Sequence, residues 1–228
     1  MLVGGCRPDE ARRADRPLAG PTRSDVHTAV GDRGDLRDAT FVLVNGADVV
    51  RVRSADLGDD LYRVSTPAEA KVRPAVTVAD GSVLAGLAAS DGAGPALVEV
   101  TLNEAVRWRV RLGGGAQEET LDLRSGLVDE VEFAAGTNRA EVTLPPAKGT
   151  IRVSMTGGAS RLLVHLAGDA PVQVRAGGGA ARVTVDGDSR SGVAGGTTLT
   201  PAGWAAAGDR YDIDAVAGVS ELTVDRTP

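Results

Sequence analysis

The stretch WRVRLGGGAQEETLDL, residues 108–123, sets one alternating strand, a run of three glycines and a second alternating strand side by side. Its skeleton is Val110, Gly115 and Leu121: an apolar residue, Gly five positions on, and an apolar residue six further. The same skeleton recurs as Val131/Gly136/Val142, Val153/Gly158/Val164, Val174/Gly179/Val185 and Ile213/Gly218/Val224. The first four copies start 21 or 22 residues apart. A fixed period of this size marks a stack of units, each of which buries its apolar face only against its neighbours. The expected fold is therefore all-β and solenoid-like, a β-helix-type pile of short strands.

Alternation refines this reading. Trp108, Val110 and Leu112 fall on one side of the first strand and Arg107, Arg109 and Arg111 on the other, so the arginines face water. Stacked in chain order, the outward residues form the rows Arg109, Glu130, Arg152, Gln173, Asp212 and Arg111, Glu132, Ser154, Arg175, Asp214. Opposite charges then meet across neighbouring strands, at about 0.2–1 kcal/mol a pair. The inward row Leu121, Val142, Val164, Val185, Val224 is aliphatic throughout. Gly at the fifth position lies where the chain must turn, so either a backbone angle closed to other residues or a close approach to the next unit explains the missing side chain.

Outside this regular part, 107–228, the pattern weakens. Residues 39–106 read as a leading, irregular β region with two looser copies, Phe41/Gly46/Val52 and Val76/Gly81/Leu87, and a further strand at 97–102, LVEVTL. An interval of 39 residues separates the starts of the last two copies, which implies an insertion at about 187–210. Residues 1–38 carry many charges and few apolar groups, too few to offset the entropy of ordering them, and are expected to be a disordered tail or tether. At its start, LVGGC at 2–6 resembles the end of a bacterial lipoprotein signal, without that signal's basic start and apolar stretch. Cys6 is thus the lipid-anchor candidate, on the expectation of a true start farther upstream and an extracytoplasmic home. The other reading is a free thiol on a cytoplasmic chain.

Composition excludes several functions. Aromatic residues are 3% of the chain, so the core must be mainly aliphatic. A net charge of -6 speaks against nucleic acid, whose phosphates demand clustered cations. No apolar run is long enough for a membrane span. One cysteine permits neither an intrachain disulfide nor a cysteine-built zinc site.

No catalytic constellation emerges, and no cofactor or metal is expected. Of the two histidines, His27 lies in the tail; His165 lies outward in a row with Asp122, Thr143, Asp186 and Asp225 and has no nucleophile or second ligand grouped with it. Asp186-Gly187-Asp188 and the run DRYDID, 209–214, lack calcium-loop spacing and read as turn acids. Trp204, conspicuous in a Gly/Ala-rich insertion, is the candidate for stacking a sugar; the other reading is a cover over the end or side of the sheet.

From Trp108 to about Val185, with LDLRSGLVDEVEF at 121–133 followed by alternating strands and Gly-Ala or Gly-Thr corners, the chain resembles the toast-rack domain family. That family is related to the C-terminal domain of cell-wall-active antibiotic response proteins and to bacterial adhesin-like proteins. The resemblance covers about 80 of the 228 residues well. It implies a solenoid-like fold at the bacterial cell envelope and brings no catalytic or binding residues with it. The functional expectation is a non-catalytic structural or protein-interaction module, linked to envelope-stress sensing or adhesion. Its partner would be an envelope protein or a cell-wall polymer, with self-association through end strands open to it. The contrasting expectation is a carbohydrate-binding or carbohydrate-active β-helix protein.

Overall fold

In the computed structural model, which describes Met1 and residues 26–227, each copy of the skeleton becomes two strands joined by a tight corner. The strands in chain order are β1 (Val26–Asp32), β2 (Asp38–Leu43), β3 (Val49–Ala55), β4 (Asp60–Pro67), β5 (Val72–Ala79), β6 (Ser82–Ala89) and β7 (Leu97–Asn103). They continue with β8 (Arg107–Leu112), β9 (Ala116–Asp122), β10 (Leu127–Phe133), β11 (Thr137–Leu144), β12 (Thr150–Met155) and β13 (Ala159–Ala167). Last come β14 (Val172–Ala176), β15 (Ala180–Val185), β16 (Asp188–Val193), β17 (Thr197–Leu199), a single 3-10 turn at Trp204–Ala206, β18 (Arg210–Ala215) and β19 (Val219–Thr227).

Two sheets face each other. Sheet A runs β1-β4-β7-β3-β9-β11-β13-β19-β15-β16 and sheet B runs β17-β14-β18-β12-β10-β8-β2-β6-β5. The stack therefore has seven rungs, each with one strand in each sheet: β6/β7, β2/β3, β8/β9, β10/β11, β12/β13, β18/β19 and β14/β15. Rung meets rung through parallel ladders, whereas the flanking strands β1, β4, β5, β16 and β17 all pair antiparallel. Between the sheets lie the aliphatic rows expected from alternation, Val110, Val131, Val153 and Ile213 from sheet B against Leu121, Val142, Val164 and Val224 from sheet A, all at most 1% exposed. Burial on that scale stabilises by roughly 1.5–3 kcal/mol per side chain. Two aromatic residues share one inner row of sheet B. Trp108 donates from Nε1 to the Asn103 carbonyl at 2.9 Å, and the buried Tyr211 hydroxyl sits between the carbonyls of Pro145 and Ala167.

The order of the rungs corrects the reading in chain order. The fifth copy, β18/β19, is inserted between the third, β12/β13, and the fourth, β14/β15. The rows are thus Arg109, Glu130, Arg152, Asp212, Gln173 and Leu121, Val142, Val164, Val224, Val185. Charge favours this order: Arg152 meets Asp212 at 3.5 Å and Arg175 meets Asp214 at 3.2 Å, whereas chain order would set Arg152 beside Gln173.

Corner packing favours it too. Along the stack the middle corner residue alternates between a side chain and glycine: Asn45, Gly114, Ala135, Gly157, Ala217, Gly178. A Cβ at Gly114, Gly157 or Gly178 would lie 2.0–2.3 Å from backbone of the preceding corner, so corners associate in pairs that admit only one side chain. Chain order would set Gly157 against Gly178 and break the alternation.

Strand pairing defines three features of the leading half. Residues 39–106 share both sheets with the regular part: β2 pairs with β8 and β3 with β9, in register Phe41↔Val110 and Val52↔Leu121. Val76/Gly81/Leu87 is not a rung. Asp80 and Gly81, at φ 49 and 73, form the two-residue turn of an antiparallel hairpin within sheet B, the usual outcome for Asp-Gly between alternating strands. Finally, the expected tail ends sooner than residue 38, because Val26–Asp32 pairs with β4. Cys6 lies outside the described residues.

Candidate functional site

Four places in the molecule gather chemistry. The first is the outer face of sheet A near its leading end, which sequence spacing did not reveal, because β4, β7, β3 and β9 are neighbours in the sheet but not in the chain. Register places Arg63, Thr101, Arg53 and Asp122 in one row and Ser65, Glu99, Arg51 and Thr120 in the next. Together they line a trough of about 380 Å³. Glu99 lies 3.7 Å from Arg51, Asp60 holds Arg63 at 3.3 Å, and Asp122 is engaged by Arg124 at 2.8 Å. Arg53 donates from Nε to the Thr101 hydroxyl at 3.2 Å and, among the described residues, makes no ion pair. The trough thus offers guanidinium and hydroxyl donors on a rigid sheet, a donor set suited to phosphate or carboxylate oxygens.

The second is Trp204, in the turn that follows β17. Its Nε1 donates to the Tyr211 carbonyl at 2.8 Å, and the Arg210 guanidinium lies over the ring, 4.7 Å from the centroid. Arg210 also donates to the Ala205 carbonyl and to the Thr150 hydroxyl, both at 3.0 Å. One face of the indole is therefore occupied, and the segment is pinned to rung β18/β19.

The third is His165 on β13, between Asp225, whose Oδ1 lies 2.5 Å from Nδ1, and Glu141, whose Oε1 lies 3.5 Å from Nε2. Glu141 is held below the usual carboxylate range, mainly by its 2.6 Å bond from Arg139. The two carboxylates engage opposite ring nitrogens, so they do not converge on a common metal position. No group of three or more metal-ligating side chains occurs among the described residues. His27 sits apart, on β1. Asp186 and Gly187, at φ 47 and 90, form the hairpin turn from β15 to β16, and the DRYDID run lies mainly on β18, with Asp212 and Asp214 committed to arginines.

The fourth is Glu119, a carboxyl facing the core. It stands in register with Val50 and Ala140, is 1% exposed, and its Oε2 has no hydrogen-bond partner. Burial pushes its carboxyl up to about 8, against the opposing effect of a bond from the Thr137 hydroxyl. Alternation held the signal for this residue, since Glu119 shares its side of β9 with Leu121.

No helix among the described residues is long and apolar enough to cross a membrane. No family model and no curated protein matches the chain. Solved structures do. A crystal structure described as a "putative cell adhesion protein" from Clostridium sporogenes superposes with a TM-score of 0.62 at 15% identity, over 89% of this chain and 99% of that one. One described as a "putative adhesin" from Bacteroides fragilis aligns over 91% of this chain and 99% of that one at 9% identity, with a TM-score of 0.29, too loose to carry an argument. At such identities likeness speaks to fold alone. The fold in common with the clostridial structure is the stacked all-β architecture that residues 108–185 led us to expect.

Proposed function

We propose that the protein is a non-catalytic, adhesin-like interaction module of the bacterial cell envelope, and that it engages an anionic cell-wall polymer through the Arg51/Arg53/Arg63 trough. The trough carries the reading, because it sets Arg51, Arg53 and Arg63 beside Glu99 and Asp122, a local excess of cation on a molecule whose net charge is -6, with the Arg53 guanidinium in no ion pair among the described residues. Charge so placed attracts an acidic polymer locally while the remaining surface repels it, which favours one docking orientation. Support for the adhesive role comes from the fold in common with the clostridial protein named for cell adhesion. A link to envelope-stress sensing stays within this reading as one outcome of adhesion at the wall. Cys6, in the lipoprotein-like LVGGC, is the proposed anchor.

The experiment is retention of the full chain on a purified phosphate- or carboxylate-bearing cell-wall polysaccharide, across a salt series. Retention should fall with salt, and Arg51→Ala/Arg53→Ala/Arg63→Ala should weaken it at least about tenfold with the melting curve preserved. Equal retention by the triple variant, or release of new reducing ends from the polymer, defeats the proposal. Mass spectrometry of envelope-extracted protein tests the anchor: unmodified Cys6 defeats that part alone.

A further inference from the structure

Among the described residues the two sheets leave four edges, and three of them are blunted. In β16 the residues that continue the aliphatic inner rows are charged, Asp188 opposite Val185 and Arg190 opposite Val183, and Gly192 sits at φ 64. β17 is three residues long and is followed by Pro201 and the Trp204 turn. β5 carries Pro74, which has no N–H to offer. Inward charges, short edges and proline are the devices that keep strands from adding to a sheet.

β1 has none of them. From Val26 to Gly31 it contains no proline and no Asp, Glu, Lys or Arg, and it exposes Val26 at 60% and Val30 at 47%. We infer that β1 is a docking edge for β1 of a second copy of this chain, paired antiparallel about a two-fold axis at Thr28. In that register Val26 faces Val30 of the other copy, His27 faces Ala29, and Thr28 faces Thr28. The pairs are β-branched or small, no like charges oppose each other, and the register shift at Gly31/Asp32 ends the regular edge. An isologous contact of this kind closes on itself, joining two ten-stranded sheets into one and leaving only blunted edges at its ends.

The test uses the symmetry. Thr28 is exposed and points away from the core, so Thr28→Lys and Thr28→Glu keep the fold, which melting curves verify. Sedimentation velocity over a concentration series should show a dimer for the wild type. Each variant alone places like charges face to face and should weaken the dimer at least about tenfold, and an equimolar mixture of the two should restore it. Amide protons of Val26–Gly31 in the wild type should exchange more slowly as concentration rises. A wild type that stays monomeric throughout, variants that dimerise as it does, or a mixture that does not associate overturns the inference.

Discussion

Arg152 on β12 lies 3.5 Å from Asp212 on β18, although the whole fourth unit, with Gln173 at the corresponding position, separates them in the chain. Exposed pairs of this kind contribute little, about 0–1 kcal/mol, so the ion pair reports the order of the rungs more than it enforces it. The order is directly testable. In a Cys6→Ser background, Ser154→Cys/Asp214→Cys joins residues of adjacent strands and should oxidise to a disulfide, while Ser154→Cys/Arg175→Cys, two rungs apart, should not. Mass spectrometry distinguishes the products; the opposite pattern would restore chain order.

Glu119 makes stability depend on pH. Its carboxyl titrates near 8 when folded and near 4.5 when unfolded, so between those values the folded state binds the extra proton. Stability should therefore be fully present below about pH 4.5, fall as pH rises, and level off above about pH 8, for a total on the order of 5 kcal/mol. Glu119→Gln should leave the melting temperature nearly unchanged at pH 4.5 and raise it at pH 8.5. Parallel pH profiles for the two proteins would show that the carboxyl is already ionised in the core.

Corner glycines should differ from neighbouring surface sites. Gly158 sits at φ 80, and an added Cβ would approach the Gly218 carbonyl at 3.3 Å, so Gly158→Val should cost at least about 2 kcal/mol, or roughly 4–8 °C in melting temperature. Ser160→Val, on the exposed face of β13, should stay within about 0.5 kcal/mol of wild type. Gly157→Ala should be costly despite adding one methyl, because that methyl meets backbone of Ala135 at 2.0 Å. Equal shifts for Gly158→Val and Ser160→Val would make these glycines incidental.

Trp204 and Arg210 should act as a local clasp. Loss of the indole removes a cation–π contact of about 0.5–1 kcal/mol and the Nε1 bond to Tyr211. Trp204→Ala should speed proteolytic cleavage within residues 200–209 several-fold while lowering the global melting temperature by less than about 4 °C. Unchanged proteolysis would show that the ring does not hold this segment and would favour the ligand-stacking reading.

Much of the architecture is legible from residues alone. Alternation told which side of 108–112 is buried, and the recurrent glycine placed every corner from Gly115 onward. The candidate site was much less legible. The arginines of the trough lie on β3 and β4, which touch through β7, and no local pattern links residues that meet only across a sheet. Asp80-Gly81 shows the limit of spacing as evidence: its glycine fits the repeat, yet the residue before it makes a hairpin turn.

Periodicity by itself determined that this protein is a stack of two-strand rungs with an aliphatic interior, because strand alternation and corner glycine are local properties of the chain. Only the tertiary structure decided which rung lies on which, since β18/β19 could stack in any slot with aliphatic neighbours. The pairing of Ala217 with Gly178 selects one slot and the charges at Arg152 and Asp212 report it, and both are contacts between segments distant in sequence.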